Sequence, residues 1–378
     1  MASEMANSVL DASPYARFWH TGELAIPEDA LIAWARAQRL LPLIGWRAER
    51  EGWALPGKLQ EAVVEARYRQ AAKQTLVDRQ LRSLAALVRE TSLRVAVVKG
   101  PVVVEAYPSP ALRPHGDIDL FVPDVNTFAL VDLLEQSDYH AVVIGDRSTH
   151  LPPMEPPGAG LRVEVHGLPY NHFDFAPLQR WTAYPGLWRP DPVAHFVYLV
   201  HHAVERHELH SGLLHLIDLK FWTAAWTADD WQRAYDLAQA MGHLRMVGLA
   251  LALLPLAWPG EDPKLPNDLF PVPPENTLTA ATRVVLGHEP GLLPHVGRDL
   301  HERTLRGWLR YAHLVLLGDP QVRRGLPWME KVGFYLRRPF RLLKNYVPLF
   351  LRLLRGDRSS RDALHRQRDL MAWLRGES

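Results

Sequence analysis

The segment Asp117-Ile118-Asp119 carries two carboxylates at positions i and i+2. It lies in an alternating run, Gly116 to Val122, and such alternation predicts a β-strand. Positions i and i+2 of a strand face the same side, so the two like charges would lie close together and repel each other. A divalent cation removes that repulsion, and Mg²⁺ is typically bound by one or two carboxylates together with substrate phosphates. Asp117 and Asp119 are therefore candidate metal ligands for the transfer of a phosphoryl-type group.

Three neighbouring segments hold residues that suit the same chemistry. Glu164 lies on the polar face of a second alternating run, Leu161 to His166, where it is a candidate third metal ligand or general base. Lys99 and Gly100 lie at a predicted strand-to-helix turn, where a helix N-terminus favours phosphate. Arg113 can hold a phosphate through two hydrogen bonds. The ordinary alternatives are a surface glutamate, a lysine that faces water and a loop salt bridge.

Histidines supply further candidates. His166 shares a strand face with Glu164, so it can support the site or contact the acceptor. Six more histidines crowd into 21 residues: His195, His201, His202, His207, His210 and His215. Helical zinc sites use spacings such as i, i+4, which neither His202 with His207 nor His201 with His210 provides. We therefore expect these six to be hydrogen-bonded within helices or to line an acceptor pocket.

The elements that must position these residues alternate between strands and helices. The pattern predicts strand 94–98, helix 101–107, strand 116–122, helix 125–136, strand 139–144, a loop over 145–160 and strand 161–166. Helices are predicted before this region, including a long one over 57–90, and through most of the chain after it. The predicted organisation is an N-terminal helical segment (1–90), a core (91–185), a helical domain (186–320) and a basic helical region (321–378).

The composition excludes several classes of protein. Of the 378 residues, 47% are hydrophobic and 22% charged, which excludes a disordered chain, a coiled-coil rod and collagen. The absence of cysteine excludes disulfides, cysteine nucleophiles, zinc-thiolate sites and iron–sulfur clusters. The polar start is no secretory signal, and the longest uncharged apolar stretch, Met246 to Gly260, is shorter than the roughly 18 residues of a membrane span. We therefore expect a cytoplasmic protein of two or three domains without a transmembrane segment.

Charge is unevenly distributed along the chain. The formal net charge is +1, whereas Gln321 to Ser378 contains 14 Lys and Arg against 5 Asp and Glu. From Lys331 to Arg355, aromatic residues are interleaved with basic ones. This composition predicts an anionic partner, such as phosphate, nucleic acid or a membrane surface. The alternative is a helical region with aromatics in the core and a solvated basic face.

These motifs resemble a known superfamily. The segments V-V-K-G, L-R-P-H-G-D-I-D-L-F-V and R-V-E-V-H are similar to motifs of the DNA-polymerase-beta-like nucleotidyltransferases and, more closely, of the bacterial family of uncharacterised nucleotidyltransferases. That family carries K-G, R-x-x-G-D-I-D and E-x-H, and a His-rich helical region upstream of an Asp-Leu pair. Leu199-Val200-His201-His202 and Ile217-Asp218-Leu219 look like the last two features. The resemblance covers about residues 25 to 255.

The resemblance implies a fold and an activity. The fold is α+β, with a small mixed-sheet core flanked by N-terminal helices and a larger C-terminal helical region. The activity is Mg²⁺- or Mn²⁺-dependent transfer of a nucleoside monophosphate from a nucleoside triphosphate such as ATP to an acceptor, with release of pyrophosphate. Asp117, Asp119 and Glu164 match the acidic catalytic and metal-binding positions. The implied nucleotide-binding residues are Lys99, Gly100, Arg113, Gly116 and His166.

Two questions stay open from the sequence. Most of the superfamily has Gly-Ser or Gly-Gly where this chain has Lys99-Gly100, so the contact to the triphosphate differs, although the close family shares the lysine. The acceptor can be a small molecule, a peptide, a protein or a tRNA. The alternative to an enzyme is a non-catalytic protein of the same fold that binds nucleotide and acts as a regulator or adaptor.

Overall fold

The computed structural model describes residues 13–123, 127–142, 151–167, 177–257, 269–287, 351 and 355–377. The helices are α1 (Pro14–Thr21), α2 (Glu28–Ala37), α3 (Leu41–Glu51), α4 (Gly57–Arg89), α5 (Gly100–Val103), α6 (Thr127–Glu135), α7 (Pro192–His201), α8 (Leu213–Thr223), α9 (Ala228–Ala240), α10 (Leu244–Ala257), α11 (Glu275–Val285) and α12 (Arg358–Arg375). The strands are β1 (Ala96–Val98), β2 (Asp117–Val122), β3 (His140–Ala141), β4 (Met154–Glu155), β5 (Arg162–Gly167), β6 (Leu178–Arg180) and β7 (Trp188–Pro190). Short 3₁₀ turns lie at Val104–Ala106 and Pro110–Leu112, and a π-helical turn lies at His202–Arg206.

The strands form one mixed sheet, in the order β3-β4-β5-β2-β1-β7-β6. The β2 strand occupies its centre, parallel to β5 on one side and antiparallel to β1 on the other. In the β2–β5 register, Asp119 lies opposite Glu164 and Phe121 opposite His166. A mixed sheet between helical segments confirms the α+β fold.

The alternation in β2 divides its side chains between two environments. Ile118 and Leu120 are buried in a cluster with Leu81 and Leu84 of α4. Phe121, on the opposite face, belongs to the core that α7 and α8 build. The predicted faces of β2 are therefore confirmed, and its carboxylates lie on the face that the C-terminal helices cover.

The long helix α4 connects the two ends of this arrangement. Its C-terminal half packs under the sheet, and its N-terminal half packs against α2 and α3. Between them, the Gln70 side-chain amide donates to the Arg113 carbonyl at 2.7 Å, and Gln74 Oε1 lies 2.8 Å from His115 Nε2. These two contacts hold the segment that leads into β2.

Several elements differ from the sequence-based expectation. The sheet includes β6 and β7 and so extends past the boundary expected at residue 185, because β7 pairs in parallel with β1. Both strands have three residues, too few for an alternation to be recognisable. The β4 strand lies inside the predicted loop. The bounds of α1 and α3 were not predicted, although both lie in the segment expected to be helical. The proposed N-cap Asp124 and residues 143–150 lie outside the described residues.

Helix α12 belongs to the core of the helical region. Its residues Leu370, Met371, Trp373 and Leu374 are buried together with apolar residues of α10 and α11. Arg245 of α10 places its guanidinium over the Trp373 ring, 5.6 Å from the centroid. For residues 358–375 of the basic region, the structure therefore shows a helix whose apolar face lies in the core, which is the alternative to a surface for an anionic partner. Residues 288–350, and with them most of the stretch from Lys331 to Arg355, lie outside the described residues.

The apolar stretch around Met246 forms most of α10. Its leucines are buried in the helical core, and Pro255 lies within the helix. Among the helices that the structure describes, none has the length and apolar character needed to cross a membrane.

We expect Leu370→Ala to lower the free energy of unfolding by about 2–4 kcal/mol, because it leaves a cavity at a side chain that is 2% exposed. Urea denaturation followed by circular dichroism measures this loss. Arg368→Ala is the matched control on the exposed face of the same helix, where its ion pair with Asp369 is worth less than about 1 kcal/mol. Equal losses in the two variants would contradict the burial of α12.

Candidate functional site

The parallel pairing of β2 with β5 brings acidic side chains together. Asp119 lies directly opposite Glu164, and Asp119, Glu164 and His166 each offer a donor atom within 4.8 Å of the others. His166 Nε2 lies 2.7 Å from Asp119 Oδ1 and 3.8 Å from a Glu164 oxygen. Asp117 stands two residues earlier on the same face of β2. The sequence predicted that these four side chains share one site. The structure brings Asp119, Glu164 and His166 together, whereas Asp117 lies outside that group and acts on it through its charge.

The carboxylates have unequal proton affinities. Burial raises the pKa of Glu164 to about 8, and the charges of Asp119 and Asp117 contribute in the same direction. Burial and the Asp119 charge also raise the pKa of Asp117. Burial alone would raise the pKa of Asp119, but Lys99 and His166 outweigh it and hold that pKa well below its usual range. The raised pKa values show that full ionisation of the three carboxylates is unfavourable in the protein alone, and a bound cation would favour the ionised forms.

Lys99 supplies the main positive charge. Its Nζ lies 2.6 Å from Asp119 Oδ1, and its ammonium group also hydrogen-bonds the buried Tyr198 hydroxyl. Burial lowers the pKa of Lys99, but the Asp119 charge outweighs that effect and the net pKa is raised. In this structure Lys99 thus binds the carboxylate that a metal ion would use.

The backbone of Lys99 is strained. Its φ of 56° and ψ of −129° belong to a region that glycine tolerates and that costs other residues about 1–3 kcal/mol. The Lys99 N–H donates to His195 Nε2 at 2.8 Å. Burial lowers the pKa of His195 to about 3, so its ring is neutral and its Nε2 can accept this hydrogen bond.

Arg113 is committed to an ion pair. Its Nε and Nη2 donate to the two carboxylate oxygens of Asp218 in α8, at 2.8 and 2.7 Å, and the Tyr107 hydroxyl donates to the same carboxylate at 2.6 Å. Arg113 therefore forms the salt bridge that the sequence analysis gave as the alternative to phosphate binding. To bind a phosphate, Arg113 would first have to break its ion pair with Asp218. A Cβ on Gly100 would lie 2.6 Å from Arg113 Nη1, so close packing by Arg113 explains that glycine.

The chain just before β2 lies beside further basic residues. Gly116 is exposed, and the nearest atom to a Cβ placed there is Arg39 Nη1, at 3.9 Å. Lys73 of α4 donates to the His115 carbonyl. The charges of Arg39 and Arg113 act to lower the pKa of Asp117. Gly116 thus leaves an open approach to Asp117 that is bordered by positive charge.

Three of the six crowded histidines, His202, His207 and His215, form a cluster of rings. The His202 and His207 ring centroids are 4.4 Å apart, and His215 lies within about 6 Å of both. Burial, followed by the charge of Lys99, lowers the pKa of His202 well below its ordinary value. His202 Nε2 lies 3.2 Å from His207 Nε2, whereas the buried His202 Nδ1 has no hydrogen-bond partner among the described residues. The expectation that these histidines are hydrogen-bonded within the helices is therefore met only in part.

Sequence reasoning gave no role in holding the site to three residues that do so in the structure: His195, Tyr198 and Asp218. His195 and Tyr198 lie on α7, which is buried on nearly every side, so its sequence shows no face that distinguishes them. Asp218 was noted only as part of a family motif, since nothing in the sequence pairs it with an arginine 105 positions away. A buried aspartate in the apolar helix α8 was the available signal.

Glu164→Gln tests the electrostatics of the metal-free site. The pKa of Glu164 is raised from 4.5 to about 8 on folding, so the folded wild type binds the proton more tightly and loses stability as the pH rises through that window. Gln cannot ionise, so we expect the variant to gain stability over the wild type by a few kcal/mol between pH 5 and 8.5. Urea denaturation in EDTA across this range measures the gain.

The matched control is Glu155→Gln, on the neighbouring strand β4, where the carboxylate forms an exposed ion pair with Arg162. Its effect on stability should change little with pH. A difference between Glu164→Gln and wild type that is constant from pH 5 to 8.5 would contradict the raised pKa.

The strain at Lys99 is tested by comparing Lys99→Gly with Lys99→Ala. Both variants remove the same charge, but only glycine adopts the positive φ without a steric cost. We expect the glycine variant to be more stable than the alanine variant by about 1 kcal/mol, the reverse of the usual order. Thermal and urea denaturation at one pH measure the difference, and a more stable alanine variant would contradict the strained turn.

Comparison with known proteins agrees with this geometry. No curated protein matches the chain. A family model, described as uncharacterised nucleotidyltransferase, matches residues 25–259, from α2 through the sheet to the end of α10. The match includes every residue of the acidic site and of the ion pairs that support it. The chain therefore belongs to the uncharacterised nucleotidyltransferase family.

Proposed function

We propose that this protein is a metal-dependent nucleotidyltransferase, which moves a nucleoside monophosphate from a nucleoside triphosphate to an acceptor and releases pyrophosphate. The observation that carries the proposal is the cluster of Asp117, Asp119 and Glu164 on adjacent strands, with two of the three pKa values raised. Such a cluster is costly to a fold when all three carboxylates are ionised. It suits a site that is completed by cations and phosphates.

The three carboxylates are the groups that would hold Mg²⁺ or Mn²⁺, since hard cations prefer carboxylate oxygens. Such an ion supplies charge stabilisation for the transferring phosphoryl group. His166 donates to Asp119 from the same strand face as Glu164, so it fixes the direction in which that carboxylate points. In this proposal Asp117, Asp119 and Glu164 are the catalytic residues.

Lys99 contributes through an exchange of partners. Its ammonium group now neutralises Asp119, which is the role that a metal ion would take over. Once released, the same ammonium can contact the triphosphate as a point charge. Gly100 and Arg113 support the turn that carries Lys99, while the exposed Gly116 leaves room for nucleotide beside Asp117.

Glu164 has the proton affinity of a general base. A pKa of about 8 lies near neutral pH, where a base is most effective at accepting a proton from an acceptor hydroxyl or amine. In the presence of a cation this pKa would fall, because a positive charge favours the ionised form. We therefore assign to Glu164 either the deprotonation of the acceptor or the binding of a second ion.

The experiment is a transfer assay with each of the four α-labelled nucleoside triphosphates, Mg²⁺ and a host-cell extract as the source of acceptor. Label that moves to a new species, with pyrophosphate released, supports the proposal. Metal-dependent binding of triphosphate without any transfer would favour the alternative, a nucleotide-binding regulator or adaptor. Absence of both binding and transfer would contradict each of the two functions.

Asp119→Asn should abolish metal-dependent triphosphate binding and reduce transfer by at least about 100-fold, because it removes the best-ionised carboxylate of the site. The fold should be retained, since Asn keeps the shape of the side chain and can still accept from Lys99 and His166. Calorimetry with and without EDTA measures the binding. Glu155→Gln, an exposed change on the neighbouring strand, is the control, and equal affinity in wild type and Asp119→Asn would contradict the proposed role.

A further inference from the structure

A second group of side chains with metal-binding donors lies in the helical region. His201 ends α7, Glu205 lies in the π-helical turn that follows, and His243 lies between α9 and α10. Their donor atoms, one from each residue, lie within 4.8 Å of one another. Over the residues that the structure describes, the Asp119 group is the only other set of three or more such side chains. The two groups share no residue.

The distances are close to those of a metal site. His201 Nδ1 lies 3.1 Å from a Glu205 carboxylate oxygen. Around a tetrahedral zinc ion, ligand atoms are about 3.3 Å apart, because each lies roughly 2.0–2.1 Å from the metal. The His201 and His243 rings are parallel, with centroids 4.9 Å apart and an interplanar angle of 5°. Because the lone pairs of imidazole nitrogens lie in the ring plane, one ring of this stacked pair must turn for two imidazole nitrogens and one carboxylate oxygen to surround a single ion.

The backbone holds His243 in place on both sides. Its N–H donates to the Ala238 carbonyl at 2.7 Å while the Gly242 N–H donates to the Gln239 carbonyl at 3.1 Å, the hydrogen-bond pattern of a Schellman motif. Gly242 has the positive φ, 71°, that this motif requires. The His243 carbonyl then accepts from the Val247 N–H as α10 begins. The position of this ring is thus set by the end of one helix and the start of the next.

The other two donors lie at an unusual turn. The π-helical turn at His202–Arg206 is a rare conformation that often occurs at functional sites. It follows α7 directly, so His201 and Glu205 are separated by four residues and face each other. The His201 and Glu205 side chains are 12% and 35% exposed, which leaves a path for an ion to enter from solvent.

We propose that His201, Glu205 and His243 bind one divalent transition-metal ion of the Zn²⁺ class, with an open position for water. Two imidazoles and one carboxylate suit Zn²⁺, Co²⁺ or Ni²⁺ better than Mg²⁺, which prefers oxygen ligands only. The ion joins the end of α7 to the connection between α9 and α10, so its binding stabilises the helical region. This site is independent of the proposed nucleotidyl transfer.

The test uses the full chain with Asp119→Asn as the parent, so that the Asp119 group cannot bind the probe ions tightly. Zn²⁺ titration by calorimetry should show one ion per chain. Co²⁺ should give the visible absorption bands of a four- or five-coordinate nitrogen and oxygen site. The midpoint of thermal unfolding should rise with Zn²⁺ concentration, because the ion binds the folded state.

Variants in this parent identify the ligands. His201→Ala and His243→Ala should each weaken Zn²⁺ binding by well over about 10-fold, since the loss even of a residue that only supports a ligand costs 10–100-fold. His210→Ala, which changes a histidine of the same segment outside the group, should bind Zn²⁺ as the parent does. Equal affinity in the parent and in both ligand variants would overturn the proposal.

If His201→Ala or His243→Ala does not fold, a measurement on the Asp119→Asn parent alone still tests the proposal. The X-ray absorption spectrum of the Zn²⁺-loaded parent must contain two imidazole ligands, and a spectrum with one or none overturns the proposal. Because the parent lacks Asp119, Zn²⁺ binding to it says nothing about transfer. Failure of the Zn²⁺ titration, in turn, leaves the transfer assay on the wild type unaffected.

Discussion

A buried carboxylate, Asp119, and a half-buried one, Glu164, lie side by side where β2 and β5 run parallel. The site depends on how their charge is balanced. Two unit charges about 4 Å apart repel by roughly 4 kcal/mol at an effective dielectric constant of 20. The structure accommodates Asp119 and Glu164 by treating them differently: Asp119 stays ionised between Lys99 and His166, whereas the pKa of Glu164 rises to about 8. Of these two neighbouring acids, Asp119 is therefore suited to bind a metal ion and Glu164 to accept a proton.

Two basic residues at the site, Lys99 and Arg113, are held in place by the C-terminal helices. His195 of α7 accepts from the Lys99 N–H, and Asp218 of α8 binds Arg113. Neither helix contributes a carboxylate to the acidic cluster, yet each fixes a residue that the sheet segment supplies. The sheet and the helical region therefore cannot form this site separately, which agrees with a family match that spans both.

The local parts of the site were predictable from the sequence. The period of two in β2 and β5 is by itself enough to assign Asp117, Asp119, Glu164 and His166 to polar strand faces. The pairing of β2 with β5 was not predictable in register, because it depends on neighbours that are distant along the chain. The partner of Arg113 lies in α8, and no local pattern points to it. The group of His201, Glu205 and His243 was not predicted for another reason. The spacing rule was applied to pairs of histidines only, whereas the ligand four residues after His201 is the carboxylate of Glu205.

The turn at Lys99 has a consequence for how this position can vary. A φ of 56° with a ψ of −129° excludes β-branched side chains and is free of cost only for glycine. Two solutions therefore exist at this point of the chain. Glycine adopts this turn without strain but supplies no charge. Lysine is strained in this turn but places a cation next to Asp119. A residue that gives neither a relaxed backbone nor a positive charge is disfavoured for both reasons. Substitutions tolerated at this position should therefore be limited to glycine and to cationic residues.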